Sequence, residues 1–139
     1  MVNKINCPKK CNCTVVVLVK HHSYLFYLVG VYILSGHPDH VVLGDNIKVT
    51  LTCATDDNYK FVKWTRNGIT VADIVRQCEL IYADNTYNFT CDVDNKIYYL
   101  IIPPDAITDG IQNVIWRCLP IVGRGSNTWR LTLSGTYDV

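Results

Sequence analysis

Between residues 47 and 53 apolar and polar side chains alternate. Ile47, Val49, Leu51 and Cys53 share one parity, and Lys48, Thr50 and Thr52 the other. A period of two with one polar side predicts a half-buried antiparallel strand. Gly44-Asp45-Asn46 before it and Asp56-Asp57-Asn58 after it are turn-forming runs that bound it. Residues 61–66 read as the next strand, and Asn67-Gly68 as a tight hairpin turn into a weaker strand over 69–74. Residues 98–102 form a strand stopped by Pro103-Pro104. Two more strands are predicted at 114–118 and 129–133, the second entered through the loop 123–127. Residues 106–113 have room for one helical turn, and the long interval between Trp64 and Tyr98 predicts an extra edge strand or a loop. No stretch after residue 37 sustains a helical period. Short strands at regular spacing with turn signals between them predict an all-β sandwich or barrel.

Charge divides the chain. The first 36 residues carry four lysines (Lys4, Lys9, Lys10, Lys20) and no acidic residue, whereas residues 37–139 hold nine Lys/Arg against twelve Asp/Glu. The net charge of +1 gives no basic footprint for nucleic acid. A basic stretch, the uncharged apolar run 24–34 and then Ser35-Gly36 follow the order of a secretory signal peptide. This predicts a leader over 1–36 with cleavage near Gly36, a domain over 37–139, and an extracellular, secreted protein. At about 1.5 Å per residue, a run of this length falls short of the roughly 30 Å hydrocarbon core. The rival is a single-pass signal anchor over residues 15–34, interrupted by Lys20, His21, His22 and Ser23.

Seven cysteines ask for an accounting. Cys7, Cys11 and Cys13 fall in the leader, where no fourth metal ligand stands at a sensible spacing. Cys53, Cys78, Cys91 and Cys118 remain and read as two disulfides of a secreted domain. The sequon Asn12-Cys13-Thr14 is idle in a removed leader, whereas Asn88-Phe89-Thr90 predicts a glycosylated Asn88 in the mature part. No catalytic set is legible. His37 and His40 have no partner nucleophile in a known motif, and no glycine-rich phosphate loop opens a helix. Asp92, Asp94 and Asn95, like Asp56 and Asp57, lack the spacing of a helix–loop–helix calcium site and read as solvated turns. The expectation is a protein that is not an enzyme and carries no cofactor and no metal.

Cys53 at the end of one strand, Trp64 on the next and Cys118 near the far end form a Cys…Trp…Cys arrangement. With Gly44–Cys53, Val62-Lys63-Trp64, residues 99–102, Trp116-Arg117-Cys118 and residues 127–133, it covers most of residues 41–134, and the chain resembles immunoglobulin-like domains. The pattern is similar to invertebrate secreted or cell-surface members of the immunoglobulin superfamily. The resemblance implies a two-sheet Greek-key sandwich with Cys53 bonded to Cys118 across the sheets and Trp64 packed in the core, which leaves Cys78 to pair with Cys91. The parity of Cys53 with Val49 and Leu51 agrees with an inward sulfur. Two features depart from the family pattern. Trp116 stands where a tyrosine precedes the second cysteine, and Asp109-Gly110 lies farther from Cys118 than usual. Variable-type and intermediate-type sandwiches both fit.

The function implied is a recognition module in cell adhesion or immune-type recognition that binds a protein or glycan through loops at one end. Candidate contacts are Asp56, Asp57, Asn58 and Tyr59 in the first loop between sheets, and Arg124 and Asn127 in the penultimate loop. The alternative is a structural spacer of a longer membrane receptor or adhesion protein. Nucleic acid is not an expected partner, and a membrane is one only if the N-terminal apolar segment is retained.

Overall fold

The computed structural model describes residues 31–58 and 60–135. The basic N-terminal stretch with Cys7, Cys11, Cys13 and Asn12, the apolar residues up to 30, and Tyr59 lie outside the described residues. Ten strands follow in order: β1 (Tyr32–His37), β2 (His40–Val42), β3 (Val49–Thr55), β4 (Val62–Arg66), β5 (Ile69–Val75), β6 (Glu79–Ala83), β7 (Asn88–Asp92), β8 (Ile97–Ile102), β9 (Trp116–Leu119) and β10 (Thr132–Ser134). One sheet has the order β1-β3-β8-β7 and the other β6-β5-β4-β9; within both, neighbours are antiparallel. β10 pairs in parallel with β2, and the segment leading into β10 is linked to β9 by a bridge between Trp116 and Trp129. This is an all-β, immunoglobulin-like two-sheet sandwich.

Alternation builds the core. Val49, Leu51 and Cys53 of β3 and Tyr98, Leu100 and Ile102 of β8 are fully buried, facing Val62 and Trp64 of β4 and Trp116 and Cys118 of β9. Cys53 and Cys118 are bonded across the sheets with their Cα atoms 6.3 Å apart. Trp64 stands in register opposite Cys118 on one side and Ala72 on the other. The Asn67-Gly68 turn joins β4 to β5 with Arg66 opposite Ile69, and both turn residues have positive φ (50° and 82°), as a type I′ hairpin requires. The β8–β9 connection holds two short 3₁₀ turns, Pro104–Ala106 and Asp109–Ile111, and seats Ile107, Ile111 and Val114 in the core. Trp116 meets the ring of Tyr87 edge to face, with centroids 5.4 Å apart. Its indole N–H is buried without a partner, so it does not supply the hydrogen bond of a tyrosine at this corner.

Two readings are corrected. Ile47 is not an inward strand residue; β3 begins at Val49, and Ile47 is exposed in the approach to it. More consequentially, residues 32–36 are not outside the domain. They are most of β1, paired along its length with β3, and Tyr32 and Leu34 are buried in the core. A boundary at 36/37 would cut through a strand. Tyr32, Ile33 and Leu34, the last residues of the proposed span 15–34, likewise lie in β1. Gly36 is small for a packing reason: a Cβ there would collide with the indole of Trp129 and lie 2.9 Å from Leu51 Cδ2.

Candidate functional site

The loops expected to bind are the β3–β4 connection (residues 56–61) and the β9–β10 connection (residues 120–131). The β3–β4 loop is anchored by its own polar groups. Asp57 is buried, with the Tyr32 hydroxyl 2.7 Å from its Oδ2 and its own backbone N–H donating to Thr55 Oγ1. The same hydroxyl lies 2.7 Å from the Phe61 carbonyl oxygen, so one proton faces two acceptors. Burial first, and then the hydrogen bond to Asp57, push the Tyr32 phenol far above its ordinary range. Asp56 accepts a 2.7 Å bond from the backbone N–H of Val31. Asn58 accepts from the Lys96 ammonium at 2.7 Å, and that ammonium also donates to the Asp56 carbonyl, which ties the loop to the β7–β8 turn. Asp56, Asp57 and Asn58 are therefore brought together as fasteners of β1 and of a neighbouring turn, with Asp57 withdrawn from the surface.

Asn127 is likewise engaged. Its Oδ1 accepts from the Leu34 N–H and its Nδ2 donates to the Leu34 carbonyl, each at 2.9 Å. One amide side chain thus satisfies both backbone groups of a residue on an edge strand, where a further strand would otherwise pair. Arg124, the other candidate in this loop, is exposed. It follows Ile121 and Val122, which are 65% and 69% exposed, and Gly123, whose φ is 107°. The loop behind this tip lies close on β9: a Cβ at Gly125 would approach Leu119 Cδ2 to 2.7 Å and the Arg117 guanidinium to 2.8 Å. Residues 121–124 form a continuous exposed segment, an apolar pair beside a cation. Sequence reading missed Ile121 and Val122. Their signal was two adjacent branched residues between Pro120 and Gly123, outside any alternating run.

Other features carry less chemistry. Asp92 and Asn95 close the β7–β8 turn on themselves through Asn95 N–H to Asp92 Oδ1 and Asn95 Nδ2 to Asp92 Oδ2. Among the described residues no group of three or more His, Cys, Asp or Glu could hold a metal ion. His40 is hydrogen-bonded to Ser134 across the β2–β10 pair. A shallow cleft of about 260 Å³ lies between the β2–β3 connection and the residues after β8, lined by Val41, Asp45, Ile47, Asp105 and Ile107 among others. No helix among the described residues is long and apolar enough to cross a membrane. No known family model matches the chain, and no curated protein sequence matches it.

Proposed function

We propose that the protein is a non-enzymatic, extracellular member of the immunoglobulin superfamily that recognises a protein or glycan partner. The observation that carries this reading is the exposed tip of the β9–β10 loop, with Ile121 and Val122 turned to solvent beside Arg124, on a sandwich fixed by two disulfides. Disulfides persist in oxidising compartments, which supports an extracellular site of action. β5 and β6 on the β4–β9 sheet are the extra strands that distinguish variable-type domains, so the variable type is the closer likeness. The leader is then the segment before Val31, and cleavage leaves β1 intact. Of these three residues, arginine belongs to the types enriched at binding hot spots.

The test is direct binding of the secreted protein to arrays of glycans and of cell-surface ectodomains, beside the variant Ile121→Ser/Val122→Ser/Arg124→Ser. Binding that the variant loses while both disulfides and the thermal transition are kept supports the reading. Binding untouched by the variant overturns this site. The spacer reading draws on the internal engagement of Asp56, Asp57, Asn58 and Asn127, and absence of any binding with a correctly folded domain would favour it.

A further inference from the structure

β8 is apolar on both faces. Tyr98, Leu100 and Ile102 point inward and are fully buried, whereas Ile97, Tyr99 and Ile101 point outward and are only half-buried. β8 lies between β3 and β7, and the second sheet covers only the inner face. The outer face therefore carries an apolar stripe along a central strand. Its neighbours on β3 are small: Thr50 stands opposite Ile101 and Thr52 opposite Tyr99. On β7, Asn88 stands opposite Ile101 and Thr90 opposite Tyr99. Both defining residues of the sequon thus lie on this face, in line with the stripe.

Asn88 is exposed. Its side-chain amide has no hydrogen-bond partner among the described residues. Directly opposed residues of an antiparallel pair have Cβ atoms about 5 Å apart, and diagonal neighbours roughly 7–8 Å. A sugar on Asn88 Nδ2 leaves the sheet beside Ile101 and within reach of the Tyr99 ring. The C–H face of a pyranose is apolar and gains by covering a ring and a branched chain.

We propose that Asn88 carries an N-linked glycan whose first sugars lie over Ile101 and Tyr99, standing in for a protein layer on the outer face of the β1-β3-β8-β7 sheet. This rests on the extracellular reading, since the modification occurs in the secretory pathway. The full chain is to be expressed in a eukaryotic secretory cell and the protein recovered from the medium. Peptide mapping is expected to find Asn88 glycosylated. Enzymatic removal of the glycan from the folded protein is expected to raise the fluorescence of an apolar surface dye several-fold, as is Asn88→Gln. Adding Tyr99→Thr and Ile101→Thr to Asn88→Gln is expected to return dye binding to the glycosylated level. Secreted protein with both disulfides formed and Asn88 bare overturns the proposal and leaves the extracellular reading standing. A glycan whose removal does not change dye binding overturns the covering role. A chain retained in the cytosol with free thiols overturns both.

Discussion

Gly36 shows how one residue can satisfy two incompatible readings. In sequence it is a small residue closing an apolar run; in the fold it is the only kind of residue that leaves room for the Trp129 indole against β1. Replacing a strand glycine by alanine ordinarily stabilises by about 0.4–1 kcal/mol through the unfolded chain. Here the added methyl must displace a ring, and overpacking of this kind costs about 1–3 kcal/mol. Gly36→Ala is therefore expected to lower stability in urea denaturation, and a stabilised variant would show that Trp129 moves aside freely. The internal engagement of two ligand candidates belongs to the same scale. Asp57 and Asn127 are polar residues in loops, and nothing in their local sequence reveals that Tyr32 and Leu34 claim their polar atoms from 25 and 93 residues away.

Among the elements, those with one wet face were legible. β3, β5 and β8 follow from alternation or from apolar runs with proline or glycine at their ends, and the β4–β5 hairpin from Asn67-Gly68. β1 was hidden because its apolar residues continue, in sequence, an apolar run that begins at Tyr24. β6 and β7 were hidden because each is an edge strand with little buried: Leu80, Ile81 and Tyr82 of β6 are all exposed. The second disulfide ties the two together. Cys78, at the entry to β6, is bonded to Cys91 on β7, and these strands are the edges of different sheets. The bond is thus a staple between sheets along one side, rather than a tie within a hairpin. Its loop, with a sequence separation of 13, implies a contribution of about 3 kcal/mol on the chain-entropy estimate. With Cys78→Ser and Cys91→Ser together, amide exchange is expected to accelerate over residues 75–95 while β3 and β9 keep their protection. Unfolding of the whole domain at room temperature would show that the central sandwich depends on the staple.

For the whole molecule, the sandwich and its central bond were legible through the resemblance carried by Cys53, Trp64 and Cys118, with which the parity of Cys53 with Val49 and Leu51 agrees. The same core makes the domain sensitive to alkali. Tyr32, Tyr87 and Tyr98 are buried on separate elements, and burial raises each phenol above its usual value near 10. A raised folded-state value means that stability is fully present below the unfolded value and is lost as pH rises through the folded one. Above about pH 10 the unfolded chain releases these protons first, so stability falls with each further step in pH. Ultraviolet titration is expected to show phenols that ionise late and together with loss of tertiary structure. Ionisation of all tyrosines near pH 10 with the fold intact would contradict it.

The Cys53–Cys118 bond also sets how the domain would respond to tension on its ends. Force entering through β1 and leaving through β10 meets the bond and bypasses the 65-residue interval that it spans. Only the segments before Cys53 and after Cys118 can be drawn out. At roughly 3.3 Å per extended residue, the shortcut withholds on the order of 200 Å of slack. β4 through β8 are thereby shielded from the load, and the domain behaves as a short, nearly inextensible link whose give is confined to its first strands and its last.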